Sequence, residues 1–121
     1  PKGLGQGKGS PEEWAKLLAA YGFKDDRAAI TSKLNPIERL ASIAGAKVPV
    51  LLVYGDSDQV VPHRENSEVV YDRIRAMGGR VERIVKPGQD HHPHGLTDPA
   101  PIVAFFEKVR KAGGSIPTSG K

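Results

Sequence analysis

With 121 residues the chain is long enough for one domain, which at this size buries about two thirds of the surface its unfolded form exposes, and too short for a large enzyme. It has no cysteine, which excludes disulfides, thiolate metal sites and cysteine nucleophiles and leaves serine, histidine and carboxylate chemistry. The net charge of +4 reads as lysine-bearing, glycine-rich ends around a middle of mixed sign, so nucleic acid is not an expected partner.

No signal-peptide pattern is present, and no apolar run approaches the roughly 20 residues that span a bilayer, so no membrane partner is expected either. A start at Pro-Lys-Gly without methionine fits a chain that has lost its true amino terminus, which leaves the compartment open.

Residues 1–9 alternate glycine with other residues, too free a backbone for a helix or packed strand, and read as a flexible loop. Residues 10–47 read as a helical cap or connecting segment. Ser10-Pro11-Glu12-Glu13 combines a serine cap, proline at the first helical position and glutamate three residues on. Trp14, Leu17, Leu18 and Tyr21 then share one face as core or lid packing, and Gly22 is the stop. A weaker helix is expected over 25–34, and a short one from the Asn35 cap through Ala44, burying Ile37, Leu40 and Ala41.

Residues 48–112 read as a strand, helix, strand, helix unit, followed by a disordered tail at 113–121. The run from Val48 to Tyr54 is apolar without alternation, as in a parallel strand covered on both faces, with Pro49 at its start. A helix is expected from Pro62 to about Met77, with Val70, Ile74 and Met77 inward, and an alternating strand over 80–86 nearer a sheet edge. Asp98-Pro99 caps a last helix whose core stripe is Ile102, Val103, Phe106 and Val109. The fold class is therefore α/β, with parallel strands, flanking helices and a helical segment before them. Two parallel strands make a poor sheet alone, which suggests further strands upstream or in another polypeptide.

Ligands bind open parallel sheets at the carboxyl ends of the strands, so chemistry is expected in the loops after Tyr54 and after Lys86. The first reads Gly55-Asp56-Ser57-Asp58-Gln59-Val60-Val61-Pro62, and the second Pro87-Gly88-Gln89-Asp90-His91-His92-Pro93-His94-Gly95. A carboxylate on the first can hold an imidazole on the second, fixing its tautomer and stabilising the imidazolium formed when it takes a proton. The plainer alternative is that Asp56 and Asp58 only cap a turn and the next helix.

The Gly-Asp-x-Asp-x-Val-Val-Pro pattern at 55–62, followed by Lys-Pro-Gly-x-x-His-His-Pro-His-Gly-Leu at 86–96, resembles the last third of α/β-hydrolase esterases. The likeness is to bacterial members described as carbohydrate or acetyl esterases and extends from about Gly5 through Val109. It implies the carboxyl-terminal half of an α/β-hydrolase fold and a small-molecule ester substrate, with no cofactor. It places the triad acid on Asp58 and the triad histidine on His91, with His92 and His94 supporting the loop or touching substrate. One departure is Asp90, where the family usually has glycine. Its charge is expected to raise the pKa of His91 or compete with Asp58 for the ring.

The resemblance also implies a serine upstream of the acid, on a Gly-x-Ser-x-Gly elbow between a strand and a helix. No such elbow precedes Asp58. Ser57 lacks the following glycine and helix, and its two flanking carboxylates oppose an alkoxide. The nucleophile and oxyanion hole are thus expected from a missing amino-terminal half or a partner subunit. Two other readings compete. His91, His92 and His94 with Asp90 and Asp98 suit a divalent metal by residue type, yet adjacent histidines rarely point at one ion and no helical i, i+4 pair is present, so no metal is expected. A non-catalytic binding module would present the same loops to an anion or a partner protein, and an upstream strand ending in the serine elbow would separate the two.

Overall fold

The computed structural model of the chain describes residues 5–113. Helix α1 (Pro11–Tyr21) begins where the Ser10 hydroxyl oxygen accepts the Glu13 amide at 3.4 Å. It ends at Gly22, whose φ of 66° lets the chain turn away in the left-handed region. Its expected apolar face finds little cover. Trp14 is half-buried, with its indole N–H donating to Asp26 Oδ1 at 2.9 Å, whereas Tyr21 is exposed and stacks on Phe23.

Helix α2 (Asp26–Ile30) is shorter than the sequence suggests, with Asp25 accepting the Ala28 amide at its start. Asn35 does not cap the next helix. Its side-chain amide donates to the carbonyls of Ala29, Ile30 and Ser32, closing the end of α2, where such carbonyls lack helical partners. A 3-10 turn (Pro36–Glu38) then leads into α3 (Leu40–Gly45), whose buried residues are Leu40 and Ala44, one turn on from the expected Ala41.

Strand β1 (Val50–Gly55) follows Pro49, and helix α4 (Ser67–Ala76) returns the chain to β2 (Val81–Lys86). The strands pair in parallel, from Val50 opposite Val81 to Gly55 opposite Lys86. The helix expected from Pro62 is divided: a 3-10 turn (His63–Glu65) precedes α4, and Asn66, at φ −127° and ψ −88°, breaks the helical path between them. Within α4 Ile74 is inward and Val70 half-buried, but Met77 lies beyond the helix and is exposed.

The core is Leu40, Ala44 and Ile74, with Ile37, Ile43, Val50, Val70 and Val81 packed around it. A Cβ on Gly79 would stand 2.6 Å from Ile74 Cγ2 and 2.9 Å from Ala44 Cβ, so only glycine admits this closeness of α3, α4 and the turn into β2. Strand β1 is half-buried from Val50 through Val53, less covered than its unbroken apolar run anticipates.

Helix α5 (Ala100–Ala112) starts where Asp98 accepts the Ala100 amide. Its inward side chain is Phe105, flanked by the half-buried Ile102 and Val109, whereas Val103 and Phe106 of the expected stripe are exposed. The helix carries two apolar stripes, and only one faces the described chain. No helix among the described residues is long and apolar enough to cross a membrane. Residues 5–9 of the glycine-rich start form neither helix nor strand, and the tail from 114 lies outside the described residues.

Burial predicts opposite outcomes for two substitutions. Ile74→Ala, at 1 % exposure, is expected to cost roughly 2–5 kcal/mol in urea unfolding. Val103→Ala is expected to change the same measurement by less than about 0.5 kcal/mol.

Candidate active site

Parallel pairing places Gly55 opposite Lys86 and so starts both chemistry-bearing loops from neighbouring strand ends. The loops are bound together in four places. The Asp56 amide donates to the Lys86 carbonyl at 3.3 Å, and the Ser57 amide to the Gln89 carbonyl at 3.0 Å. Asp56 Oδ1 accepts the Gly88 amide at 2.7 Å, and Asp90 Oδ1 accepts the Gln59 amide at 2.9 Å. A Cβ on Gly55 would stand 2.1 Å from the Gln89 carbonyl oxygen, so the second loop lies directly on the end of β1 only because that residue is glycine.

Asp58 uses its two oxygens differently. Oδ1 accepts the amides of Val60 at 2.9 Å and Val61 at 2.8 Å, the local turn that the plainer reading of this loop anticipates. Oδ2 lies 2.8 Å from His91 Nδ1, across the two loops. Burial pushes the Asp58 carboxyl upward, but the Val61 amide, the His91 ring and the Val60 amide outweigh it and hold the group below its usual range. An ionised carboxylate only accepts hydrogen bonds, so Nδ1 of His91 carries a hydrogen, and in the neutral ring Nε2 is the acceptor. The Asp58 side chain is 10 % exposed and the His91 side chain 28 %, so the pair is sheltered while the ring keeps an open edge.

Asp90 does not hold the ring. Its Oδ1 accepts the Gln59 and His91 amides, which together lower its pKa, with Gln59 the larger cause. The carboxylate is a clasp between the loops. The left-handed residue of the second loop is Gly88, at φ 65°, and not Asp90.

His92 and His94 are brought against His91. The His91 ring meets those of His92 and His94 nearly edge-on, with centroids 5.1 and 4.8 Å away, and His92 and His94 lie 4.2 Å apart. This crowding lowers the pKa of His94 below its ordinary 6.5, first through the charge of His92, then through lost hydration and the charges of His91 and Lys86. Ser57 is turned elsewhere, its hydroxyl donating to Asp56 Oδ1 at 3.1 Å.

Two contributors escape a reading by motif. Lys86 ends β2 and donates from Nζ to the carbonyls of Pro93 and Gly95, gripping the histidine loop on both sides of His94. The glycine-rich start runs beside the acid loop: the Lys8 and Gly9 amides donate to the carbonyls of Gln59 and Val60 at 2.8 and 3.0 Å. The Gln6 amide donates to the Glu65 carboxylate, and a Cβ on Gly7 would stand 2.3 Å from Pro62 Cδ. Alternating glycine, which in sequence signals freedom, is used here at Gly7 for close approach.

Comparison with protein-family models, curated proteins and solved structures finds no match for this chain. The functional reading therefore rests on the residues and their geometry.

Crowding of the histidines has a direct readout. In an NMR titration His94 is expected to titrate below 6.5, and His92→Ala is expected to return it toward that value. No movement in the His92→Ala protein would show that His92 is not the cause. Gly55→Ala is expected to push the second loop off the end of β1 and to weaken Asp58 to His91 contact, read as loss of the His91 Nδ1 proton signal.

Proposed function

We propose that this chain forms the acid- and histidine-bearing carboxyl-terminal part of a serine hydrolase that cleaves carboxylic esters, acylated carbohydrates being the substrate class its resemblance implies. The observation that carries this reading is the 2.8 Å contact of Asp58 Oδ2 with His91 Nδ1 at the carboxyl ends of two paired parallel strands. A carboxylate that only capped its own turn would have no need to present its second oxygen to a ring on another loop.

In this reading a serine from the missing half or a partner subunit lies at the open edge of His91. His91 Nε2 takes the hydroxyl proton as the serine attacks the acyl carbon, and Asp58 stabilises the imidazolium. The same nitrogen returns the proton to the departing alcohol, then activates water against the acyl-enzyme. His92 and His94, exposed and against the ring, support the loop or touch the substrate. The half-covered β1 and the two-stranded sheet are what a larger parallel sheet would complete.

The isolated chain is expected to hydrolyse an activated ester no faster than buffer. The complete natural gene product is expected to hydrolyse it, with His91→Ala lowering kcat by about 10⁴-fold or more and Asp58→Asn by a comparable factor. Turnover by the isolated chain that His91→Ala abolishes would place the nucleophile within these residues. A complete gene product with no esterase activity, or one indifferent to both substitutions, would remove the hydrolase reading.

A further inference from the structure

We propose that His91, His92 and His94 form a binding site for one divalent ion of the zinc, nickel or copper class. Each of the three rings offers a ligand nitrogen, and these nitrogens all lie within 4.8 Å of one another. Neighbouring histidines normally diverge, but here the loop bends so that the rings converge.

The geometry is close to what an ion requires. Zinc binds imidazole at about 2.0–2.1 Å, so tetrahedral donors stand about 3.3 Å apart and the widest pair has roughly 1.5 Å to close. His92 and His94 are exposed and free to turn that far. The backbone beneath them is held: Asp90 accepts the His91 amide, and Lys86 grips the carbonyls of Pro93 and Gly95. The Lys86 ammonium, whose charge reaches His94, opposes a cation there, while the carboxylates of Asp58 and Asp90 on the two adjoining loops favour one.

His91 is already arranged as a metal-bound histidine usually is. Its Nδ1 is committed to Asp58, so Nε2 is the nitrogen left for an ion, with Asp58 as the outer partner that orients the ring and raises its basicity. Imidazole donors select zinc, nickel and copper over magnesium and calcium, which take oxygen. The site is independent of ester chemistry. Where the hydrolase reading holds as well, ion and serine proton compete for Nε2 and the ion inhibits, a consequence that rests on that reading.

Zinc chloride titrated calorimetrically into the metal-stripped natural gene product tests the site without reference to activity. The expected result is one equivalent of zinc that the doubly substituted His92→Asn, His94→Gln protein lacks and that His63→Ala retains. Magnesium chloride is expected to give no binding at this site. Asp58→Asn is expected to weaken the zinc site about 10–100-fold. Because the two exposed histidines are replaced by polar residues, an unchanged circular dichroism spectrum identifies the folded variant, and single His94→Gln serves if the double variant does not fold. Equal zinc stoichiometry and affinity in the wild-type and histidine-substituted proteins would overturn the proposal.

Discussion

Parallel pairing of β1 with β2 is the constraint on which the rest of the site depends. Because the register places Gly55 opposite Lys86, two loops far apart in sequence leave the sheet from adjacent points and in the same direction. Neighbouring strands lie about 4.8 Å apart, so side chains two or three residues beyond the strand ends are within reach of each other. The backbone bonds from Asp56 to Lys86 and from Ser57 to Gln89 extend the pairing past the sheet. Asp58 and His91 meet because of that extension.

The loops are then tightened by carboxylates that touch no imidazole ring. Asp56 and Asp90 each accept an amide from the opposite loop, and each does so with a single oxygen. Three acidic residues on two adjoining loops would repel if they were simply exposed. Spreading their charge over backbone amides is what makes the density tolerable, and it leaves only Asp58 directed at a ring. Lys86 plays the matching part for carbonyls in the histidine loop.

The core sits away from this chemistry. Leu40, Ala44 and Ile74 join α3 to α4 near the amino-terminal end of the sheet, while the carboxyl ends carry the polar loops. That separation lets the site be built of hydrogen bonds without interrupting the packing that holds α4 on the strands. It also leaves one stripe of α5 and much of β1 short of cover.

The sequence by itself located α1, α5 and the two strands, because proline, serine and aspartate caps, glycine stops and an unbroken β-type run act locally, whereas it drew α2 too long and the helix after Pro62 as unbroken. It also singled out Asp58 and His91, through paired motifs at two strand ends. Tertiary structure alone decided which faces were buried. Val103 and Phe106 fit a helical stripe as well as Phe105 does, and only the position of the sheet chooses between them. It decided too that Asn35 closes the helix behind it, that Asp90 clasps amides and leaves the ring to Asp58, and that Gly7 serves contact with the acid loop. These depend on partners distant in the chain, whose position no local pattern records. The convergence of His91, His92 and His94 belongs with them, since the spacing of the three residues alone points away from a shared ligand, and the path of the anchored loop brings their nitrogens together.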